Sequence, residues 1–299
     1  MIVLNRVLIF GMGLMGGSLS LAIKKKFPNA LITGVVRSEK SKLEIQSTQM
    51  AHSAYTEMEF LAQSNWDEFD LVVFSTPVGS VLDYIQKLPL SANTIYTDLG
   101  STKQTIIDAV NGHFKIPHNY VSSHPMCGSE FSGAMAAKDD LYENKLCILT
   151  SANNSNSTAL AFLKSFWESV GSWTLEMDGI EHDTTLAYLS HLPHIVSSVL
   201  VKTAIRNQTV NRLVNSSEKP ITGGGFRDMT RIAGSNAEMW ISIFLENQKN
   251  VYDSLVEYRK EIDSVIEDFN PIRPLAVEKI LQYWESSLLA KEHIQKTKV

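Results

Sequence analysis

The sequence predicts an α/β chain, with a mostly parallel sheet domain over residues 1–178 followed by an all-α domain over residues 179–299. Three observations carry this. Short apolar runs alternate with helical patterns through the first half, as strands joined by crossover helices do. A glycine-punctuated turn separates the first run from the first helical segment. From Ile180 onward the pattern is helical almost throughout, broken by "EKPITGGGF" and by the two prolines of "NPIRP".

The candidate strands are residues 7–10, 31–36, 71–75, 94–97, 120–123, 146–150 and 173–177. Between the last two, "STALAFLKSFWESVG" has helical spacing and ends on Gly171, a natural helix stop. The strands then cease, which places the domain boundary near Asp178. No internal repeat is visible.

A chain of 299 residues builds two cores without disulfides or a structural metal. The net charge of -5 and the pI near 5.9 argue against nucleic-acid or anionic-membrane binding, which rely on a basic field. Two cysteines, Cys127 and Cys147, are too few for a disulfide framework or a thiolate metal site, so a reducing, cytoplasmic setting is expected. The apolar N-terminus does not read as an export signal. Asn5 and Arg6 break it, glycines punctuate it, and the lysines at 24–26 lie behind it rather than before it. No stretch approaches the roughly 18 apolar residues of a spanning helix.

"VLIFGMGLMGGSLSLAIKKK" places Gly11, Gly13 and Gly16 after a strand and at the start of a helix. In this G-x-G-x-x-G spacing the first glycine permits a tight turn and the second lets backbone approach a pyrophosphate. The third allows close helix-to-strand packing. The first domain therefore reads as Rossmann-type and dinucleotide-binding, the pyrophosphate lying against the helix N-terminus. Leu14 and Met15 within the fingerprint, and Thr76 and Pro77 after the third candidate strand, join the cofactor-binding set. The second strand ends in "GVVRS", where NAD sites carry a carboxylate for the ribose 2′-hydroxyl. Val36 cannot make that bond, whereas Arg37 and Ser38 can grip a 2′-phosphate, with Lys40 or Lys42 as further cations. NADP is the expected cofactor and NAD the alternative, in which Arg37 is merely solvated.

Four further segments put polar groups where an apolar core would not. "TDLGSTKQ" sets Ser101 at a strand's carboxyl end, where open sheets hold ligands, and Asp98 there can cap the following helix. "SSHPMCGSE" offers His124 and Glu130, with Cys127 either a nucleophile or a packing residue. "SHLPH" spaces His191 and His194 three apart, hence on one helical face, and no third ligand at metal-like spacing accompanies them. "GGGFRDMTRIAGSNAEMW" supplies Arg227 and Arg231.

In this order these motifs resemble the prephenate and arogenate dehydrogenase family, which makes the tyrosine precursor by oxidative decarboxylation. The resemblance implies that His124 is the catalytic histidine, Ser101 its serine partner, and Arg231 the arginine holding the substrate's ring carboxylate. It also suggests His191 and His194 as active-site histidines, Glu130 as a gating carboxylate and Trp240 as a pocket residue. Arg227 could replace Arg231, or pair with Asp228. No metal is expected; the apolar spacing of "MWISIFLENQKNVYDSLVEY" exceeds what one small bundle needs and predicts a homodimer through the helical domain, and the resemblance points the same way. Retention of His194 favours prephenate over arogenate, giving 4-hydroxyphenylpyruvate; a broad cyclohexadienyl dehydrogenase is the nearest alternative. A β-hydroxyacid dehydrogenase would instead carry a catalytic lysine where this chain has "SHLPH". A non-catalytic NADP-sensing module would need none of His124, Ser101 and Arg231.

Overall fold

A computed structural model describes residues 2–63, 65–90, 93–128 and 131–296. The backbone forms two compact units, Met1–Gln248 and Lys249–Val299. In the first, β1 (Arg6–Phe10) is the centre of an all-parallel sheet with β2 (Leu31–Val36), β3 (Ser53–Thr56), β4 (Leu71–Phe74) and β5 (Ile95–Asp98), ordered β3-β2-β1-β4-β5. The connections run through α1 (Leu14–Lys26), α2 (Glu39–Thr48), α3 (Glu57–Gln63) and α4 (Val78–Ile85), and α5 (Gln104–His113) follows β5.

Val7 to Phe10 is an unbroken apolar run because β1 is covered on both faces. Val7 and Ile9 enter one core, which includes Leu19, Ile23 and Trp167; Leu8 and Phe10 enter the other. In the second core Phe10 meets Phe60, Trp66, Phe74 and Tyr84 with ring centroids 4.6–5.6 Å apart, each such pair worth about 0.5–1.5 kcal/mol beyond its buried area. The strand order reverses between β1 and β4, so the crevice outside their carboxyl ends is the place where such sheets take ligands.

A second sheet holds β6 (Val121–Pro125), β7 (Leu146–Ser151) and β8 (Trp173–Glu176) in that order. β6 and β7 are antiparallel, the chain returning without a crossover helix, whereas α6 (Ser157–Ser169) carries β7 over to a parallel β8. A parallel bridge between Tyr96 and Tyr120 ties this sheet to the edge of the first. All seven expected strands are present within two residues of their read limits. β3 was not expected: "SAYT" is only four residues long, and pairing with β2 rather than an apolar run makes it a strand. Gly171, at φ +96°, ends the α6 region as its position suggested.

The helical part begins with α7 (Gly179–Leu186), started by a capping box in which Asp178 accepts from the Glu181 N–H and Glu181 accepts from the Asp178 N–H. One π-helical turn, Ala187–His191, leads into α8 (Leu192–Arg206), followed by α9 (Gln208–Ser216), α10 (Gly224–Thr230), a 3-10 turn at Arg231–Gly234 and α11 (Ala237–Glu246). α12 (Gln248–Asp268) and α13 (Val277–Gln295) complete the chain, and Lys279 bonds Asp268 at 2.7 Å within the second unit. No described helix is long and apolar enough to cross a membrane.

Candidate active site

Two of the three tasks that the fingerprint's spacing implies, the tight turn and the close helix-to-strand packing, are visible in the backbone. Gly11 sits at φ +84°, and a Cβ there would lie 2.3 Å from the Ser75 carbonyl oxygen. A Cβ on Gly16 would lie 1.9 Å from the carbonyl oxygen of Gly11, so helix and turn can approach this closely only without side chains. Gly13 differs: nothing lies within 4 Å of its would-be Cβ, and as the N-cap of α1 it offers no side-chain partner to the first turn. Backbone N–H groups of Leu14 and Met15 thus begin a helix whose positive end opens at the switch point. Beside the turn, the Thr76 hydroxyl is buried without a hydrogen-bond partner, next to Pro77 at the start of α4. An open cradle, a bare helix end and an orphaned hydroxyl fit a bound dinucleotide.

At the end of β2, Val36 is buried and Arg37 is exposed, as the sequence implies. Ser38 caps α2, accepting from the Ser41 N–H at 3.2 Å. Lys42 is not a free cation. Glu59 holds its ammonium at 2.6 Å and that same carboxylate closes a reciprocal cap with Thr56, so a 2′-phosphate here relies on Arg37 and Ser38 rather than Lys42.

The chemistry-bearing side chains gather around two buried carboxylates. Asp98, the last residue of β5, accepts from the Gly100 N–H at 2.8 Å, from Lys103 Nζ at 2.6 Å and from Tyr120 at 3.1 Å, and from the Ser122 hydroxyl. Lys103 and Asp98 have no exposed side-chain surface. Asp98 therefore shapes the turn holding Ser101, while the N–H groups that begin α5 belong to Asp183: Lys103 donates at 2.8 Å and Gln104 at 2.9 Å. α7 can come this close because Gly179 faces Gln104, whose side-chain oxygen would lie 2.5 Å from a Cβ there.

His124, near the end of β6, is partly exposed, and its Nδ1 lies 2.8 Å from Nε2 of His182. His182 Nδ1 in turn lies 2.8 Å from Asp183 Oδ1. His182 is thus the partner of the His124 imidazole at Nδ1. Asn247 donates through one amide nitrogen to the Asp183 carbonyl at 2.7 Å and to His191 Nδ1 at 3.2 Å. A carbonyl only accepts, which fixes the amide's orientation and leaves the proton of a neutral His191 on Nε2. His194 lies ring to ring on Trp240 with centroids 3.9 Å apart, His191 meets the same indole edge-on at 5.9 Å, and the Trp240 N–H is buried without a partner.

Burial lowers the basicity of this group as a whole. His124 is held well below the usual histidine range by burial first, then by His182, Lys103 and His191. His182 is also lowered, burial outweighing its bond to Asp183. His191 falls to about 4 through burial, despite the opposing pull of Asp183, and His194 is lowered by burial and by the charge of Arg231. Asp183 goes the other way from what burial alone would do: donors from His182, Gln104 and Lys103 keep it ionised below its ordinary value. The result is a set of neutral imidazoles beside an ionised carboxylate, suited to proton transfer.

Arg231 opens the 3-10 turn and is exposed, near enough to affect His194. Arg227 donates to the Thr222 carbonyl at 3.2 Å. Burial pushes the Cys127 thiol up to about 12, against a nucleophilic role, and the residue packs on the first core. Glu130 lies outside the described residues. Among the described residues no group of three potential ligands could hold a metal. His182, Asp183, Lys103 and Asn247 were not singled out from the sequence. The available signal was the core stripe of α7, Gly179, His182, Asp183 and Leu186, where an amphipathic helix should have apolar residues.

Residues 19–175 match the family Prephenate dehydrogenase, nucleotide-binding domain, and residues 178–274 match Prephenate dehydrogenase, dimerization domain. The chain is 34% identical over 264 residues to the prephenate dehydrogenase of Bacillus subtilis, covering 87% of this chain and 69% of that protein. It is 29% identical over 252 residues to the cyclohexadienyl dehydrogenase of Zymomonas mobilis, covering 83% and 82%. Among solved structures, prephenate dehydrogenase from Aquifex aeolicus in complex with hydroxyphenyl propionate and NAD+ superposes with a TM-score of 0.83 at 29% identity, over 98% of this chain and 99% of that one. Synechocystis arogenate dehydrogenase, at 24% identity and a TM-score of 0.76 over 96% and 99%, shares the fold.

Proposed function

The chain belongs to the prephenate dehydrogenase family, and from that premise we propose that it oxidatively decarboxylates prephenate to 4-hydroxyphenylpyruvate, with NADP+ as the preferred cofactor. The observation that carries the reading is the neutral, partly exposed imidazole of His124 at the sheet edge, backed by hydrogen bonds that leave one ring nitrogen for substrate.

Gly11, Gly13 and Gly16, the first-turn N–H groups of Leu14 and Met15, and Thr76 and Pro77 would hold the dinucleotide, with Arg37 and Ser38 on its 2′-phosphate. When bound, the nicotinamide would supply the acceptor for a hydride from the hydroxyl-bearing ring carbon. His124 takes the hydroxyl proton as that hydride leaves, and Ser101 hydrogen-bonds the same hydroxyl. Arg231 orients the ring carboxylate with its planar fork and does not grip it tightly, because stabilising the departing group would oppose its loss. Carbon dioxide leaves with its bonding electrons passing into the ring, and the imidazolium returns the proton to the new phenolic oxygen. His191, with its proton on Nε2, and the unpartnered N–H of Trp240 are donors for the acidic side chain. His194 supports prephenate rather than arogenate, following the family pattern in which arogenate-specific members tend to lack it.

The domain boundary is placed at 178/179, and two copies pair through the helical domain, where Val199, Leu213, Ile241 and Leu245 are exposed. Two free thiols fit a reducing compartment, taken as the cytoplasm. The test is a rate assay of prephenate and arogenate, each with NAD+ and NADP+, on the wild type and Arg37→Ala. Prephenate turnover with NADP+ favoured, the preference collapsing in Arg37→Ala, is expected. A preference for NAD+ that persists in the variant removes the phosphate pocket, and four silent combinations remove the reaction.

A further inference from the structure

Four groups stand in line: the N–H donors at the start of α5, the Asp183 carboxylate, His182 and His124. The hydrogen-bond polarity along this line is forced from one end. An ionised carboxylate only accepts, so His182 must donate to it through Nδ1. A neutral imidazole with its proton on Nδ1 has a bare Nε2, so His182 must accept from its other neighbour. That neighbour is His124 Nδ1, which must therefore carry the proton. What remains on His124 is a lone pair on Nε2.

We infer that Asp183 and His182 are positioning residues that lock His124 in the tautomer whose Nε2 can accept the substrate's hydroxyl proton. The inference rests on the reaction proposed above for its purpose, though not for its geometry. Without the relay, His124 in water would place its proton mostly on Nε2, the form that cannot act as a base through that nitrogen. The depressed basicity of His182 supports the scheme, since a protonated His182 could not accept from His124. The groups facing this pair from neighbouring elements are Lys103 and Asp98 on the β5–α5 turn and His191 at the end of the π turn. Lys103 discourages a second positive charge on either ring. The relay joins residues 58 and 59 positions further along the chain to His124 and starts α5 with the same carboxylate, so the base and the start of α5 share one support.

Because Asp183 also begins α5, its replacement would confuse folding with tautomer, and the test falls on His182. In His182→Gln the amide oxygen can still accept from His124 while its NH2 donates to Asp183, so the polarity survives. In His182→Leu it does not. Nitrogen-15 spectra of the histidine rings, recorded on the unliganded protein, read the tautomer of His124 directly, and melting temperature checks the fold. The expected result is a proton on Nδ1 in the wild type and in His182→Gln, and a shift toward Nε2 in His182→Leu. With prephenate, kcat of His182→Leu should fall about tenfold or more, within the range positioned acid–base groups supply, while KM stays within about twofold and His182→Gln keeps most of the rate. A wild-type proton on Nε2 overturns the inference, as does a His182→Leu protein with unchanged tautomer and kcat within threefold of wild type. If the wild type does not turn over prephenate at all, the proposed reaction fails while the spectra still judge the relay.

Discussion

The cofactor cradle and the imidazole cluster both lie at the carboxyl ends of parallel strands and are built in opposite ways. The cradle is made of absent side chains: at Gly11 and Gly16 any Cβ would strike backbone, and beside Gly13 the space is open. All of it comes from six consecutive positions. The cluster is made of largely buried polar side chains from β5, β6, the turn before α5, α7, the π turn and the residue after α11, each hydrogen-bonded to another. A site built from backbone needs only local spacing, whereas a site built from converging side chains needs the whole fold, and its stability is bound up with its protonation.

The largest expected effect tests how far the cluster depends on buried charge. Lys103→Met leaves Asp98 without its cation in a site closed to water, and removal of one member of a buried pair costs about 3–5 kcal/mol. Urea unfolding should show that loss; a change below about 1 kcal/mol would mean that the Tyr120, Ser122 and Gly100 donors suffice. Acid comes next. His191 is depressed from the ordinary 6.5 to about 4, so above pH 6.5 it is neutral folded and unfolded alike and has no effect. Between 6.5 and about 4 the unfolded chain binds the proton and the folded one resists, so stability falls as pH falls, by about 3 kcal/mol from this residue alone at one pKa unit per 1.4 kcal/mol. His191→Gln should flatten that part of a melting-temperature titration. The smallest effect separates the cradle from the fold: Gly13→Ala has room for its methyl and an ordinary φ of -77°, so the melting temperature should barely change. The cofactor KM should rise about tenfold, equivalent to 1.4 kcal/mol of lost contact. An unchanged KM would place the pyrophosphate elsewhere.

The same contrast explains what the sequence disclosed. The fingerprint, the central strands and the change to helix near Asp178 follow from local periodicity, and they stand in the structure close to where they were read. β3 escaped because its four residues owe their conformation to β2. His124, His191, His194 and Trp240 could be named from motif, and the structure brings the last three together in ring contact. Their supports could not. His182 and Asp183 read as ordinary polar residues near the start of a helix, and their place on the buried stripe of α7, with the close approach of Gly179 to Gln104, shows that they face inward. Lys42 shows the converse: spacing offered a free cation, and Glu59, seventeen residues away, had already taken it.

The central claim is that His124 removes the hydroxyl proton as hydride is lost. Its most direct test is single-turnover reduction of bound cofactor by prephenate near pH 7.5, comparing the wild type with His124→Asn and measuring cofactor affinity alongside. The account predicts a rate about 10²- to 10⁴-fold lower in the variant, the usual contribution of a general base, with cofactor affinity unchanged. A variant within threefold of the wild-type rate would contradict it and move the proton acceptor to another group.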